Sequence, residues 1–210
     1  MIAGVGTALA LAACDGGSQQ SKSEPSGKFP VAVSSASFPA SQTLAEQSHL
    51  VIAVRNTGHK MIPNVAVSIC NVTCSATAPE GEGSSVNPFA QRIGQPYLAN
   101  SSRPIWIVNR GPDTCGYSCQ NGGAGAAVTA YSNTWSLGSL KPGKAVRFDW
   151  AVTAVVPGRH VIAWQVAAGL NGKAKAVLAD GSQPEGTFSV HVGSTPQQSY
   201  VNNQGQIVHQ

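Results

Sequence analysis

The segment from residue 146 to residue 153 alternates large apolar side chains with small, polar or charged ones. Its order is Val146, Arg147, Phe148, Asp149, Trp150, Ala151, Val152 and Thr153. A period of two is typical of a β-strand with one buried face and one solvent face. A helix would spread the same apolar side chains around its axis. The alternation therefore predicts a half-buried strand and places this part of the chain in a β-sheet.

Other short segments have the composition of strands and end at Gly, Pro or Asn. They are rich in Val, Ile and aromatic residues and cover 49–55, 65–69, 105–108, 128–135, 161–168 and 187–192. The turns Leu140-Lys-Pro-Gly143 and Pro157-Gly158 carry Pro and Gly at positions that favour chain reversal. Many short strands with such turns and no helical periodicity predict an all-β sandwich. Trp135, Trp150 and Trp164 are expected in its core.

Composition narrows the class of protein. Charged residues make up 10 % of the 210 residues, against about 25 % in typical globular domains. The formal net charge is +4, and no cationic group in the sequence exceeds the scattered Lys141, Lys144 and Arg147. A nucleic-acid site needs a dense basic stripe with stacking aromatic residues. We therefore expect no nucleic acid as a partner.

The N-terminal apolar run ends in Leu11-Ala-Ala-Cys14 and opens onto a polar stretch. The run from Ile2 to Ala13 is too short to cross a bilayer as a helix, which takes about 20 residues, and it matches the apolar part of a secretory signal. No Lys or Arg precedes it, a departure that a start codon placed too far downstream would explain. The pattern resembles the lipobox of bacterial lipoproteins. That resemblance implies a diacylglycerol thioether on Cys14 and an extracytoplasmic chain anchored to the bacterial cell membrane.

These observations divide the chain into four parts. Residues 1–13 are expected to be a lipoprotein signal peptide, 14–28 a flexible tether, 29–192 a sandwich with an insert at 70–127, and 193–210 a polar tail. The tether and the tail contain too few large apolar side chains to offset the entropy of ordering them. The prediction is one folded domain held off a membrane by a flexible segment.

Two stretches of the sandwich region resemble the bacterial immunoglobulin-like modules of the CARDB and conserved-repeat type. The first combines Leu50 to Gly58, which ends in Asn-Thr-Gly, with Ile62-Pro-Asn-Val-Ala-Val67, and the second runs from Trp135 to Val161. The resemblance implies an immunoglobulin-like antiparallel β-sandwich over about two thirds of the folded region, and it implies little about function. The segment 70–127 departs from those modules, so we expect the particular properties of this chain there.

Four cysteines remain after Cys14, namely Cys70, Cys74, Cys115 and Cys119. An even number in an exported chain predicts disulfides. Equal spacing allows Cys70–Cys119 and Cys74–Cys115 to face each other in one antiparallel register, so two bonds that brace the insert are the preferred prediction. A local Cys70–Cys74 bond is the alternative and needs a turn. Residues four apart on a strand are about 13 Å apart, while a disulfide needs Cα atoms within about 7 Å. Zinc held by the four thiolates is the third possibility.

The sequence contains few signs of catalysis. Its nine carboxylates are scattered, and no Gly-x-Ser-x-Gly, Ser-x-x-Lys or His-Glu-x-x-His motif occurs. His59 follows Asn-Thr-Gly and is expected to be a turn residue rather than a copper ligand. We expect no catalytic residue, no bound metal and no cofactor.

The aromatic residues of the insert are candidates for recognition. Trp106, Tyr97 and Tyr117 would form a binding surface for an envelope protein or a glycan if they were exposed. The preferred interpretation of Trp106, however, is that it packs the insert onto the sandwich. The resulting hypothesis is a lipid-anchored cell-envelope protein that acts as a non-catalytic binding or scaffold module. An envelope hydrolase or a metal carrier that uses the insert is the alternative.

Overall fold

The computed structural model describes residues 23–74, 88–91, 104–112, 133–196 and 198–209. These residues form thirteen β-strands and no helix. The strands are β1 (Gly27–Ser37), β2 (Ser41–Leu44), β3 (Gln47–Asn56), β4 (Ala66–Asn71), β5 (Phe89–Gln91), β6 (Trp106–Arg110), β7 (Thr134–Ser136), β8 (Ala145–Ala154), β9 (Gly158–Ala167), β10 (Ala174–Val177), β11 (Glu185–Pro196), β12 (Ser199–Val201) and β13 (Ile207–His209). In the described part of the chain, no helix is long and apolar enough to cross a membrane.

Two sheets pack face to face. One has six strands in the order β10-β1-β3-β8-β6-β5, and the other has five in the order β2-β11-β9-β4-β7. Neighbouring strands are antiparallel except for the edge pairs β1–β10, β2–β11 and β5–β6. The central orders β1-β3-β8-β6 and β11-β9-β4 correspond to the A-B-E-D and G-F-C orders of immunoglobulin domains. The predicted immunoglobulin-like antiparallel β-sandwich is confirmed.

Large apolar side chains from both sheets fill the space between them. The alternating segment of the sequence lies in β8, where Phe148, Trp150 and Val152 are fully buried. The rings of Trp135 and Trp150 meet edge to face with their centroids 5.4 Å apart, a favoured aromatic geometry. Trp164 is also buried, so the prediction that these three tryptophans are core residues is confirmed.

The folded part extends beyond the expected boundaries at both termini. β1 begins at Gly27, inside the segment expected to be a tether, because Phe29 and Val31 are buried in the core. β11 continues to Pro196, and residues 199–209 form the separate hairpin β12–β13 where a polar tail was expected.

The segment 70–127 is not a simple appendage to the sandwich. Strands β5 and β6 form one edge of the six-stranded sheet, and β6 pairs with β8 from Trp106↔Ala154 to Arg110↔Ala151. The buried side chains of Phe89, Trp106 and Val108 explain why this part joins the sheet.

The strand directions define two ends of the sandwich. At the Gly27 end, β1 begins and β3 and β9 finish, as the pairs Gly27↔Ala174, Arg55↔Ala145 and Ala66↔Ala167 show. At the Cys74 end, β3 begins and β8 finishes, and β4 leads to Cys74. Because β8 has 10 residues at about 3.3 Å each, the two ends are about 33 Å apart.

Candidate functional site

The two described cysteines form a local disulfide. Cys70 and Cys74 are bonded, with Cα atoms 5.2 Å apart. β4 ends at Asn71, Val72 has a φ of 62°, and the Thr73 N–H donates to the Asn71 carbonyl at 2.6 Å. The chain therefore turns between the two cysteines, which brings their Cα atoms within the range that a disulfide requires.

The preferred pairing of Cys70 with Cys119 and of Cys74 with Cys115 is wrong, because Cys70 and Cys74 bond to each other. That prediction assumed a strand continuing through Cys74, whereas β4 stops three residues earlier. Asn71 was the available signal, since asparagine favours turns. Cys115 and Cys119 lie outside the described residues.

Trp106 lies in the core. Its side chain is fully buried, and its Nε1–H donates to Oε1 of the buried Gln42 at 2.8 Å. Its ring contacts Phe89 edge to face. Trp106 is therefore not a surface residue, and the structure confirms the preferred interpretation that it packs the insert onto the sandwich. Tyr97 and Tyr117 lie outside the described residues.

Backbone amides of the loop between β9 and β10, and of the first residue of β10, bind the side chain of Glu24. Oε2 accepts hydrogen bonds from the N–H groups of Leu170 at 2.7 Å and Asn171 at 2.8 Å. Oε1 accepts from Lys173 at 2.9 Å and Ala174 at 2.8 Å. Concave arrays of backbone N–H groups are anion-binding sites, and bonds to an ionised acceptor are the stronger kind. We call these four amides the Glu24 nest.

The electrostatics of the nest favour the ionised carboxylate. Burial alone raises the pKa of Glu24, but the hydrogen bonds from the four backbone N–H groups outweigh it and keep the pKa below its usual value. A Cβ atom at Gly169 would overlap the Glu24 carboxylate. Glycine at position 169 therefore leaves the space that the carboxylate occupies.

Glu24 fixes where the N-terminal segment meets the sandwich. Next to it, the Gly27 N–H donates to the Lys173 carbonyl at 3.0 Å, and Gly27 pairs with Ala174. The sequence analysis missed this site because Glu24 lies in a polar stretch and its partners are some 150 positions away. Cys14, the expected lipidation site, lies outside the described residues, ten positions before Glu24.

Asn56 organises the loops at the Gly27 end. It is fully buried, and its Nδ2 donates to the carbonyls of Lys60 at 2.8 Å and Leu140 at 2.9 Å. Its Oδ1 accepts from the Gly58 N–H at 3.0 Å. The Asn-Thr-Gly turn thus connects the β3–β4 loop to the β7–β8 loop. An open pocket of about 470 Å³ lies beside it, lined by Arg55, Asn56, Thr57, Gly58, His59, Pro142 and Gly143.

One histidine–carboxylate pair lies on the outer face of the six-stranded sheet. His49 Nδ1 and Asp149 Oδ1 are 2.7 Å apart, and an Arg147 nitrogen lies 3.5 Å from Asp149 Oδ2. The His49 side chain is 50 % exposed and that of Asp149 is 30 % exposed, so the pair lies on an open sheet face. Among the described residues, no group of three or more His, Cys, Asp or Glu could hold a metal ion.

The sequence matches no protein-family model and no curated protein. Among solved structures, the chain is similar to a CARDB domain from Pyrococcus furiosus that was crystallised with two metal ions. The identity is 14 %, the TM-score is 0.35, and the match covers 80 % of this chain and 93 % of that one.

The chain is also similar to the native alpha-2-macroglobulin of E. coli, with 12 % identity and a TM-score of 0.40. That match covers 81 % of this chain but 7 % of the much longer macroglobulin. A similarity to a β-glucosidase from Listeria innocua has 14 % identity and a TM-score of 0.33, and covers 80 % of this chain and 16 % of the enzyme. All three TM-scores are below 0.5, and these similarities carry no conclusion about function.

Proposed function

We propose that this chain is a non-catalytic binding module of the bacterial cell envelope, attached to the membrane through lipid on Cys14. The main support is the Glu24 nest. Four backbone N–H groups hold the carboxylate at the Gly27 end, so a segment anchored at Cys14 would join the sandwich at that end.

The opposite end would then face away from the membrane. The Cys70–Cys74 disulfide lies where β4 finishes, at the Cys74 end. By strand length, this end is about 33 Å from the Gly27 end. We propose that Tyr97 and Tyr117 of the insert contact an envelope protein or a glycan.

The rival proposal, an envelope hydrolase or metal carrier, has less support. Acid–base catalysis needs a base within hydrogen-bond reach of the substrate proton, commonly in an enclosed pocket. The His49–Asp149 pair lies on an open sheet face instead.

Intact mass tests the anchor. The protein is produced in a bacterial envelope and alkylated before and after reduction, with a Cys14→Ser chain as control. We expect a mature mass that begins at lipid-bearing Cys14, thiols that react only after reduction, and a control chain whose mass includes no lipid. A wild-type chain that retains Met1 and carries no lipid would refute the proposed anchoring.

Cross-linking in whole cells tests the binding surface. We expect Tyr97→Ala combined with Tyr117→Ala to lose most of a cross-linked envelope partner. Tyr200→Ala should keep the partner, because this exposed tyrosine lies in the C-terminal hairpin outside the insert. Equal cross-linking by all three proteins would exclude the insert tyrosines from the surface.

A further inference from the structure

Exposed cationic side chains from four separate segments meet at the Gly27 end. They are Lys28, Arg55, Lys60, Lys141, Lys144, Lys173 and Lys175. We call this set the basic end. The register places them together: Lys28 lies opposite Lys175 near the start of β1, and Arg55 lies at the end of β3.

The loops of the basic end are tied to each other. The buried Asn56 side chain binds the carbonyl of Lys60 in one loop and that of Leu140 in the other. The Lys144 N–H donates to the Lys141 carbonyl at 3.2 Å, and the Lys144 carbonyl accepts from the Asn56 N–H at 2.9 Å. The cations of these loops are therefore attached to a fixed backbone.

The charges of the basic end are not balanced within the described residues. Both ion pairs found among the described residues involve Asp149, which lies on the outer sheet face and not in the basic end. The carboxylates of the connecting segments have partners other than these cations. Glu24 is bound by the nest, Asp180 by Ser182, and Glu185 by Gln165. Seven exposed cations thus remain without an ionic partner in the part of the chain that is described.

One pair of like charges in the basic end lowers the stability of the isolated domain. Lys28 and Lys175 are paired residues of adjacent strands, and both side chains are exposed on the same edge. Like charges opposite each other destabilise a sheet. An external anion bound between or across such cations would relieve this repulsion.

We infer that the basic end docks on an anionic phospholipid surface, where headgroup phosphates are its counter-ions. The inference rests on the proposed anchoring through Cys14, because the chain enters the sandwich at this same end. A lipid chain combined with a basic cluster is a known two-part membrane attachment. Each Lys or Arg near an anionic surface increases the affinity severalfold. The pocket beside Arg55 and His59 has a volume of about 470 Å³ and opens at this end, so it can receive a headgroup phosphate.

The test uses the full chain with Cys14→Ser, so that no lipid on the protein contributes to binding. We expect it to sediment with vesicles of phosphatidylcholine and phosphatidylglycerol but not with vesicles of phosphatidylcholine alone. Salt should weaken the binding, because exposed charges are screened within a Debye length of about 8 Å at physiological ionic strength.

A pair of matched variants locates the surface. In the same Cys14→Ser chain, Lys141→Gln with Lys144→Gln should weaken vesicle binding about thirtyfold. Arg147→Gln with Arg159→Gln removes the same charge from the sheet faces and should weaken it far less. Thermal unfolding of each variant establishes that it is folded.

Three results would overturn the inference: no binding to anionic vesicles, an equal loss in both variant pairs, or a preference for a soluble acidic polysaccharide over the vesicles. The mass experiment and the vesicle experiment test separate proposals, and either proposal can be refuted without the other. A chain without lipid that still binds vesicles refutes only the proposed anchoring, and a lipidated protein whose Cys14→Ser form does not bind refutes only the docking.

Discussion

At the scale of single residues, the Glu24 carboxylate has the densest set of polar contacts that we describe. Four backbone N–H groups converge on its two oxygens. Asn56 similarly spans two loops with one amide group. Both side chains act on the backbone of distant segments, so the effect of changing them should be measured as stability.

Replacing Glu24 by glutamine keeps the side-chain size and removes the negative charge. We expect the free energy of unfolding at neutral pH to fall by about 1–2 kcal/mol, because charge-assisted hydrogen bonds are lost from a partly exposed site. The pKa of Glu24 is lower in the folded protein than its usual value near 4.5. Its contribution is therefore complete above that value and is lost as the pH falls through the folded-state pKa.

Urea unfolding of the wild type and Glu24→Gln across the acid range measures this difference. The gap between the two proteins should stay constant from neutral pH down to about pH 5 and shrink at lower pH. A gap that persists in strong acid would show that the charge of Glu24 is not its source.

Gly169→Ala tests the space that the carboxylate occupies. The added Cβ would overlap the Glu24 carboxylate and displace it from the nest, so we expect a loss of about 1–2 kcal/mol in the free energy of unfolding. The matched control is the same substitution in a Glu24→Ala chain. There the cost of Gly169→Ala should largely disappear, since the two residues act through one contact. Additive losses would contradict the overlap.

Asn56→Ala should destabilise the domain by about 2–3 kcal/mol, because it removes a fully buried amide and leaves backbone groups of two loops without their partner. Asn202→Ala in the β12–β13 hairpin is the control, since its half-buried side chain makes hydrogen bonds within the hairpin alone. Urea unfolding gives both values. Equal losses would mean that the Asn-Thr-Gly turn has no special role.

At the scale of elements, the Cys70–Cys74 bond closes a short loop. In the chain-entropy model, a loop this small contributes about 2 kcal/mol, whereas a loop from Cys70 to Cys119 would contribute about 4 kcal/mol. We therefore expect the double variant Cys70→Ser with Cys74→Ser to lose about 2 kcal/mol by urea unfolding. Peptide mapping of the wild type under oxidising conditions should recover the 70–74 bond, and a recovered 70–119 bond would exclude it.

Much of the sandwich could be predicted because local sequence patterns identify its strands. The alternation in β8 and the apolar run of β9 fix both elements within a few residues, and the Asn-Thr-Gly turn marks the end of β3. The strand β10 has no such signal. Its residues Ala174–Val177 are ordered by pairing with β1, which lies nearly 150 positions earlier.

The Glu24 nest was missed for a related reason. Its donors are backbone N–H groups, which every residue except proline has, so the sequence does not distinguish them. Gly169 and Gly172 mark a turn, but no pattern links that turn to a glutamate far away in the chain. The prediction of the cysteine pairing was wrong for a local reason. One residue with a left-handed backbone conformation, Val72, decides whether the chain continues as a strand or turns.

At the scale of the whole molecule, the chain changes sheets more often than a regular strand pattern indicates. After β4 it enters the six-stranded sheet as β5 and β6, returns to the five-stranded sheet as β7, and crosses again to β8. Sequence patterns give the strands but not these crossings. The same crossings and loops assemble the basic end from cations that are scattered along the sequence.

The position of the N-terminus gives a prediction at this scale. A chain that starts at Phe29, the boundary expected from sequence, lacks both Glu24 and the Gly27 pairing. We expect it to be about 2–3 kcal/mol less stable than a chain that starts at Ser23. A chain that starts at Cys14 should match the Ser23 chain in urea unfolding. Equal stability of all three would mean that residues 23–28 contribute nothing to the fold.

In a chain anchored through Cys14, the Glu24 nest would also limit how far the sandwich can extend from the bilayer. If Cys14 is held in a bilayer as proposed, the point where the chain is fastened, Glu24, lies ten positions further along the chain, and ten extended residues span at most about 35 Å. The sandwich adds about 33 Å, so its far tip stays within about 70 Å of the bilayer. Without the nest, the fastening point would move to the start of β1 at Gly27, which lengthens this radius by about 10 Å. In a chain anchored as proposed, a single carboxylate would thereby set how far from the bilayer a partner could be met.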